Sequence, residues 1–67
     1  MQQMKVLREG RAWSQAELAR QAGMHPSTIS LIEADRFVPG SSQLQKIADA
    51  LGVDVQQLED VADDARD

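Results

Sequence analysis

Cysteine is absent from the 67-residue chain, and histidine occurs once, at His25. Neither a disulfide framework nor a thiolate zinc site can staple the fold, and one imidazole cannot form a histidine cluster. No apolar run approaches the ~18 residues of a membrane span, and no basic segment followed by an apolar one marks a secretory signal. The expected compartment is the cytoplasm, without a membrane partner. There is no nucleophile paired with a histidine, no metal-ligand spacing and no glycine loop to cradle phosphates, and the chain is too short to enclose a pocket. No enzyme, cofactor or metal is expected. Length is scarce as well: the chain falls below the roughly 100 to 200 residues of a typical domain, so it holds one. Below about 70 to 80 residues a single core seldom supplies more than a few kcal/mol, so stability must come from close packing.

What is present is an ordinary globular composition, 42% hydrophobic and 27% charged. The formal charge of -4 argues at first against a nucleic-acid partner, since phosphate binding relies on Lys and Arg. Its distribution changes that reading. Residues 1–40 carry Lys5, Arg8, Arg11, Arg20 and Arg36 against Glu9, Glu17, Glu33 and Asp35, a net +1. Residues 41–67 carry Lys46 and Arg66 against Asp49, Asp54, Glu59, Asp60, Asp63, Asp64 and Asp67, a net -5. From Gln21 to Ile32 no formal charge occurs with His25 neutral, and an uncharged polar surface in a charged protein is a candidate contact face.

Gly10, Gly23, Pro26, Pro39, Gly40 and Gly52 cut the chain into pieces of helical length, and the apolar pattern has period 3 to 4. The sequence predicts an all-α fold of five short helices. The first spans about Gln2 to Glu9, with Met4 and Leu7 inward. The second, Ser14 to Ala22, opens on a capping box of Ser14 and Glu17, turns Leu18, Ala19 and Ala22 inward, and ends at Gly23. The third starts at His25 with Pro26 in its first turn and runs to about Ala34; Ile29 and Ile32 face in, and Pro26, Ser27, Thr28, Ser30 and Leu31 face out. The fourth, Ser41 to Leu51, repeats Leu44, Ile47, Ala48 and Leu51 at i, i+3, i+4 and i+7 and stops at Gly52. The fifth, Asp54 to about Val61, has an Asp cap with Gln57 and turns Val55 and Leu58 inward. Residues 1–61 form the domain and residues 62–67 an acidic, frayed tail.

With Gln15 as position one of a helix-turn-helix, Leu18 and Ala19 fall at four and five, Gly23 at nine, Ile29 at fifteen and Ile32 at eighteen. The tight turn needs a residue tolerant of positive φ, the helix crossing a small side chain, and the third helix one narrow apolar stripe. These residues, with Leu7-Arg8, Ser14-Gln15-Ala16-Glu17-Leu18-Ala19, Ser27-Thr28-Ile29-Ser30, Ile32-Glu33, Pro39 and Ile47 to Val53, resemble the Cro and phage-repressor type of helix-turn-helix, also called the Xre family, over about residues 4–58.

The resemblance implies a lambda-repressor-like bundle of five helices whose third helix enters the major groove of double-stranded DNA. Pro26, Ser27, Thr28, Ser30 and Leu31 would then face base edges, while Ser14, Gln15, His25 and Arg36 would meet phosphate. It also implies an ion pair between Arg8 and Glu33 that ties the first helix to the third. Trp13 is expected in the core, and Lys5 and Arg20 as solvated charges. Two positions depart from the family pattern: Ala12 and Asp35 stand where glycine is common, and Asp35 brings a negative charge near the expected phosphate path. The expected function is a sequence-specific transcriptional regulator, a small repressor working as a homodimer over two half-sites. Val55, Leu58 and Val61, with the end of the fourth helix, are the expected dimer face. One alternative is an antitoxin-type autoregulator whose Glu59, Asp60, Asp63 and Asp64 face a basic protein partner. Another is a protein-interaction module without DNA binding.

Overall fold

Each helix of this chain begins and ends where a particular side chain or φ angle permits it. The computed structural model describes residues 1–58. It contains α1 (Gln2–Gly10), α2 (Gln15–Ala22), α3 (Pro26–Glu33), α4 (Ser41–Leu51) and a closing 3-10 turn (Val55–Leu58), with no strand among the described residues. Val61, the acidic residues from Glu59 onward, the boundary at residue 61 and the tail 62–67 lie outside the described residues.

Gly10 does not break α1 but is its last residue. The helix is stopped instead by Ala12, which adopts φ 60 while its N–H bonds to the Glu9 carbonyl at 2.9 Å. At the start of α2, Ser14 Oγ accepts from the Glu17 amide at 3.0 Å. This is one half of the expected capping box; the Glu17 carboxylate turns away to Arg20 and Gln21, whose side chains lie within reach on the same helix face. Arg20 is accordingly held in an ion pair on the surface rather than standing free in solvent. Gly23, at φ 69, ends α2, and the Met24 amide closes the turn on the Ala19 carbonyl at 2.8 Å. His25 caps α3 through Nδ1, which accepts from the Ser27 amide at 3.2 Å. Asp35, at φ 59, takes the left-handed position after α3, where the Arg36 amide bonds back to the Leu31 carbonyl at 2.9 Å.

The fifth element differs from the expected helix. Val55–Leu58 is a single 3-10 turn in which the Gln57 amide bonds to the Asp54 carbonyl at 2.9 Å and Gln57 Oε1 takes the Asp54 amide at 3.0 Å. Tight i to i+3 bonds of this kind suit a piece so short.

The core gathers Met4 from α1, Leu18, Ala19 and Ala22 from α2, Ile29 and Ile32 from α3, Ile47, Ala48 and Leu51 from α4, and Leu58 from the closing turn. α2 packs against both α3 and α4, with the fully buried Ala19 allowing close approach. Leu7, Leu44 and Val55 are half-buried on the margin of this cluster. So is Trp13, which is not a core residue: the Arg11 guanidinium lies over its ring, 5.1 Å from the centroid, and shields the outer face. Arg11 Nη2 also donates to the Leu51 carbonyl at 2.7 Å, satisfying the end of α4.

One buried ion pair joins these pieces. Arg8 Nε donates to Glu33 Oε2 at 2.7 Å and Nη2 to Oε1 at 3.1 Å, while Nη1 donates to the Trp13 carbonyl at 2.6 Å. The two side chains are 9% and 5% exposed. The hydrogen bond to Glu33 raises the guanidinium pKa above its ordinary value, against the opposing effect of burial.

Two outcomes follow for stability. Ala12→Gly removes a left-handed conformation that costs an L-residue roughly 1 to 2 kcal/mol, partly offset by the freer unfolded chain. A gain of about 1 kcal/mol, or about 4 to 8 °C in melting midpoint, is expected by circular dichroism, and an unchanged or lower midpoint contradicts the strain. Glu33→Ala strands a buried guanidinium and should lower urea stability by about 3 kcal/mol. An unchanged urea midpoint would mean that the pair holds nothing together.

Candidate nucleic-acid interface

The outer side of α3 is defined by what its inner side does. Ile29 and Ile32 are fully buried, which fixes the rotation of the helix about its axis. Pro26, Ser27, Ser30 and Leu31 are thereby turned to solvent with the capping His25, and Thr28 is half-buried at the edge. Leu31 is 43% exposed. The resulting face is free of formal charge, and it carries three hydroxyls and the Leu31 side chain. His25 belongs to this face but has its Nδ1 engaged as the α3 cap, a bond that requires the unprotonated nitrogen.

The start of α2 is organised differently. Ser14 is exposed, and its oxygen serves as the cap acceptor while the hydroxyl proton stays available to donate. Gln15 is half-buried because its Nε2 donates to Glu33 Oε1 at 3.0 Å. Its carboxamide is therefore oriented, with the second N–H left over. Arg36 is exposed immediately after α3. The carboxyl of Glu17 on α2 is held below the usual carboxylate range, chiefly by the hydrogen bond from Arg20 and then by that from Gln21. Its charge is thus matched on the surface.

Gln15 and Ser30 line one hollow with Arg8 and Glu33, whereas Arg36 follows the C-terminal end of α3. Sequence reasoning missed the Gln15 to Glu33 bond and the tie from Arg8 to the Trp13 carbonyl. Both link residues that share no helix, so no periodicity signals them; only the Arg8 and Glu33 pairing carries a family signal. Chemically the face offers hydroxyl donors and acceptors, an apolar contact and fixed amides, the groups that meet base edges and phosphates. Among the described residues no cluster of His, Asp or Glu is suited to a metal ion, and no helix is long and apolar enough to cross a membrane.

Comparison with known proteins agrees with this geometry. A helix-turn-helix family model matches residues 4–58. A protein of Neisseria meningitidis serogroup B described as a hypothetical transcription factor is 42% identical over 55 residues, covering 82% of this chain and 52% of the relative. The immunity repressor protein of Bacillus phage phi105 is 37% identical over 57 residues, covering 85% of this chain and 40% of the relative. The chain thus spans about half the length of these relatives or less. The crystal structure of a hypothetical transcription factor from Neisseria superposes with a TM-score of 0.79 at 42% identity, covering 82% of this chain and 62% of that one. The match across nearly all of the described residues, with α2 and α3 in the expected order about Gly23, shows that the chain belongs to the helix-turn-helix family of Cro and phage-repressor type.

Proposed function

We propose that the chain is a sequence-specific, DNA-binding transcriptional regulator, a small repressor, that lays α3 in the major groove of double-stranded DNA. The observation that carries this reading is the uncharged outer face of α3, exposed from His25 to Leu31 apart from Thr28 and the buried Ile29. Pro26, Ser27, Thr28, Ser30 and Leu31 meet base edges. Ser14, Gln15, His25 and Arg36 meet the flanking phosphates, the first two at a helix start where free amides and the dipole favour an anion. The bundle is lambda-repressor-like, with the Val55–Leu58 turn in the place of a fifth helix. Hydroxyls discriminate bases weakly and the basic count is small, so a homodimer over half-sites about one helical turn apart supplies the affinity that one copy lacks.

The test is an amide-shift titration by NMR with a DNA duplex at low and then moderate salt, since even non-specific contact registers at about 10⁻⁴ to 10⁻⁶ M. Salt-sensitive shifts centred on Ser14, Gln15, His25, Ser27 to Leu31 and Arg36 are expected. Ser27→Glu and Ser30→Glu should each abolish these shifts while leaving the melting midpoint within a few degrees, because both side chains face outward. Full binding by both variants would refute the docking.

A further inference from the structure

Between α1, the first turn of α2 and α3 lies a concavity of about 400 Å³ lined by Gln2, Lys5, Arg8, Gln15, Ser30 and Glu33. Gln2, Lys5 and Arg8 follow one another at i, i+3 and i+6, so they form one stripe of α1 facing the hollow. Its floor is electrically settled. Glu33 Oε2 accepts from Arg8 Nε, and Oε1 accepts from both Arg8 Nη2 and Gln15 Nε2, which engages both carboxylate oxygens. A second acid, Glu9, places Oε2 at 3.8 Å from Arg8 Nη2. Among the lining residues Arg8 and Glu33 cancel, so the exposed Lys5 carries the remaining positive charge, with Glu9 outside the lining offsetting part of it. Around it stand donors: the Ser30 hydroxyl, the second N–H of Gln15 and the Gln2 carboxamide. A hollow of net positive charge, rimmed by donors and edged by Ser30 of α3, has the chemistry of a phosphodiester seat.

We propose that this concavity holds one backbone phosphate of the bound DNA, with Lys5 as its charged contact, so that α1 as well as α2 grips the strand beside the groove. The inference rests on the DNA-binding reading above and extends it to a helix to which no contact was assigned. It also gives Glu33 a second consequence. Paired with Arg8, its carboxylate presents little net negative charge to the hollow while it orients the Gln15 amide. Lys5 acts on the backbone and not on base edges, so its contribution is independent of base sequence.

The test compares salt dependence. Binding of the full chain to two duplexes of about two helical turns, one rich in A·T and one in G·C, is measured by fluorescence anisotropy across a salt series. For Lys5→Ala the slope of log K against log salt should become shallower by about 0.9, the loss of one phosphate contact, with the same weakening on both duplexes. Lys5→Arg should restore the slope. Lys46→Ala removes an equal charge from an exposed position on α4 and should leave the slope unchanged. An unaltered slope in Lys5→Ala, or an equal change in Lys46→Ala, overturns the seat while the DNA-binding reading stands. Absence of salt-sensitive binding by the unmodified chain overturns both. Inorganic phosphate titrated at matched ionic strength should leave the Lys5 and Ser30 amides unmoved; a saturable shift there would assign the hollow to a free anion instead of DNA.

Discussion

The arrangement of the whole molecule depends on where one guanidinium points. Arg8 leaves α1 and is satisfied on both of its edges, by the two carboxylate oxygens of Glu33 on α3 and by the Trp13 carbonyl just ahead of α2. Withdrawing two charges from water is expensive, and a buried pair of this kind is poor evidence for stability by itself. Its value here lies in geometry. A bidentate contact permits one relative placement of α1 and α3, and the third bond carries that placement to the entrance of α2. Gln15 is then held by the same carboxylate. The hydrophobic core brings the helices together, but apolar contacts tolerate sliding, and this network does not.

The two turns that bracket the helix-turn-helix share another trait. Ala12 and Asp35 both take φ near 60, a conformation glycine adopts without penalty. Asp is among the residues better suited to this region, whereas Ala has no side-chain group to compensate. Backbone bonds into α1 and α3 hold each residue in place, through the Ala12 amide to Glu9 and the Asp35 amide to Ile32. The chain thus holds two turns at positive φ without glycine, one of them with a residue that pays the full cost of that conformation.

Much of the architecture could be inferred from residue types with strict local meaning. Pro26 suits only a first helical turn, Gly23 and Gly52 stand at φ 69 and 71 directly after their helices, and the spacing from Leu44 to Leu51 admits one reading. Errors came where a nearby residue took over the role that a residue's type suggested. Gly10 looked like a stop because glycine is a poor helix former, yet a last-turn position tolerates it, and the actual stop is the backbone of Ala12. Trp13 looked like core because it is large and apolar, but Arg11 covers it. Glu17 had the right spacing for a reciprocal cap, and Arg20 and Gln21 offered stronger partners. In the interface, the outward positions of α3 follow from the inward Ile29 and Ile32. The orientation of Gln15 could not be inferred, since its partner lies eighteen residues away.

Trp13 is the sole tryptophan, and the chain has no tyrosine. Its carbonyl is bound by Arg8, its ring lies beneath Arg11, and Arg11 in turn holds the last carbonyl of α4. One chromophore therefore sits at the junction of α1, α2 and α4, in a half-shielded site whose polarity changes if any of the three departs. The protein has a built-in optical probe at its structural crossroads. Near-ultraviolet emission reports on the assembled tertiary structure through a single residue, whereas the far-ultraviolet signal of the helices reports only that the backbone is coiled.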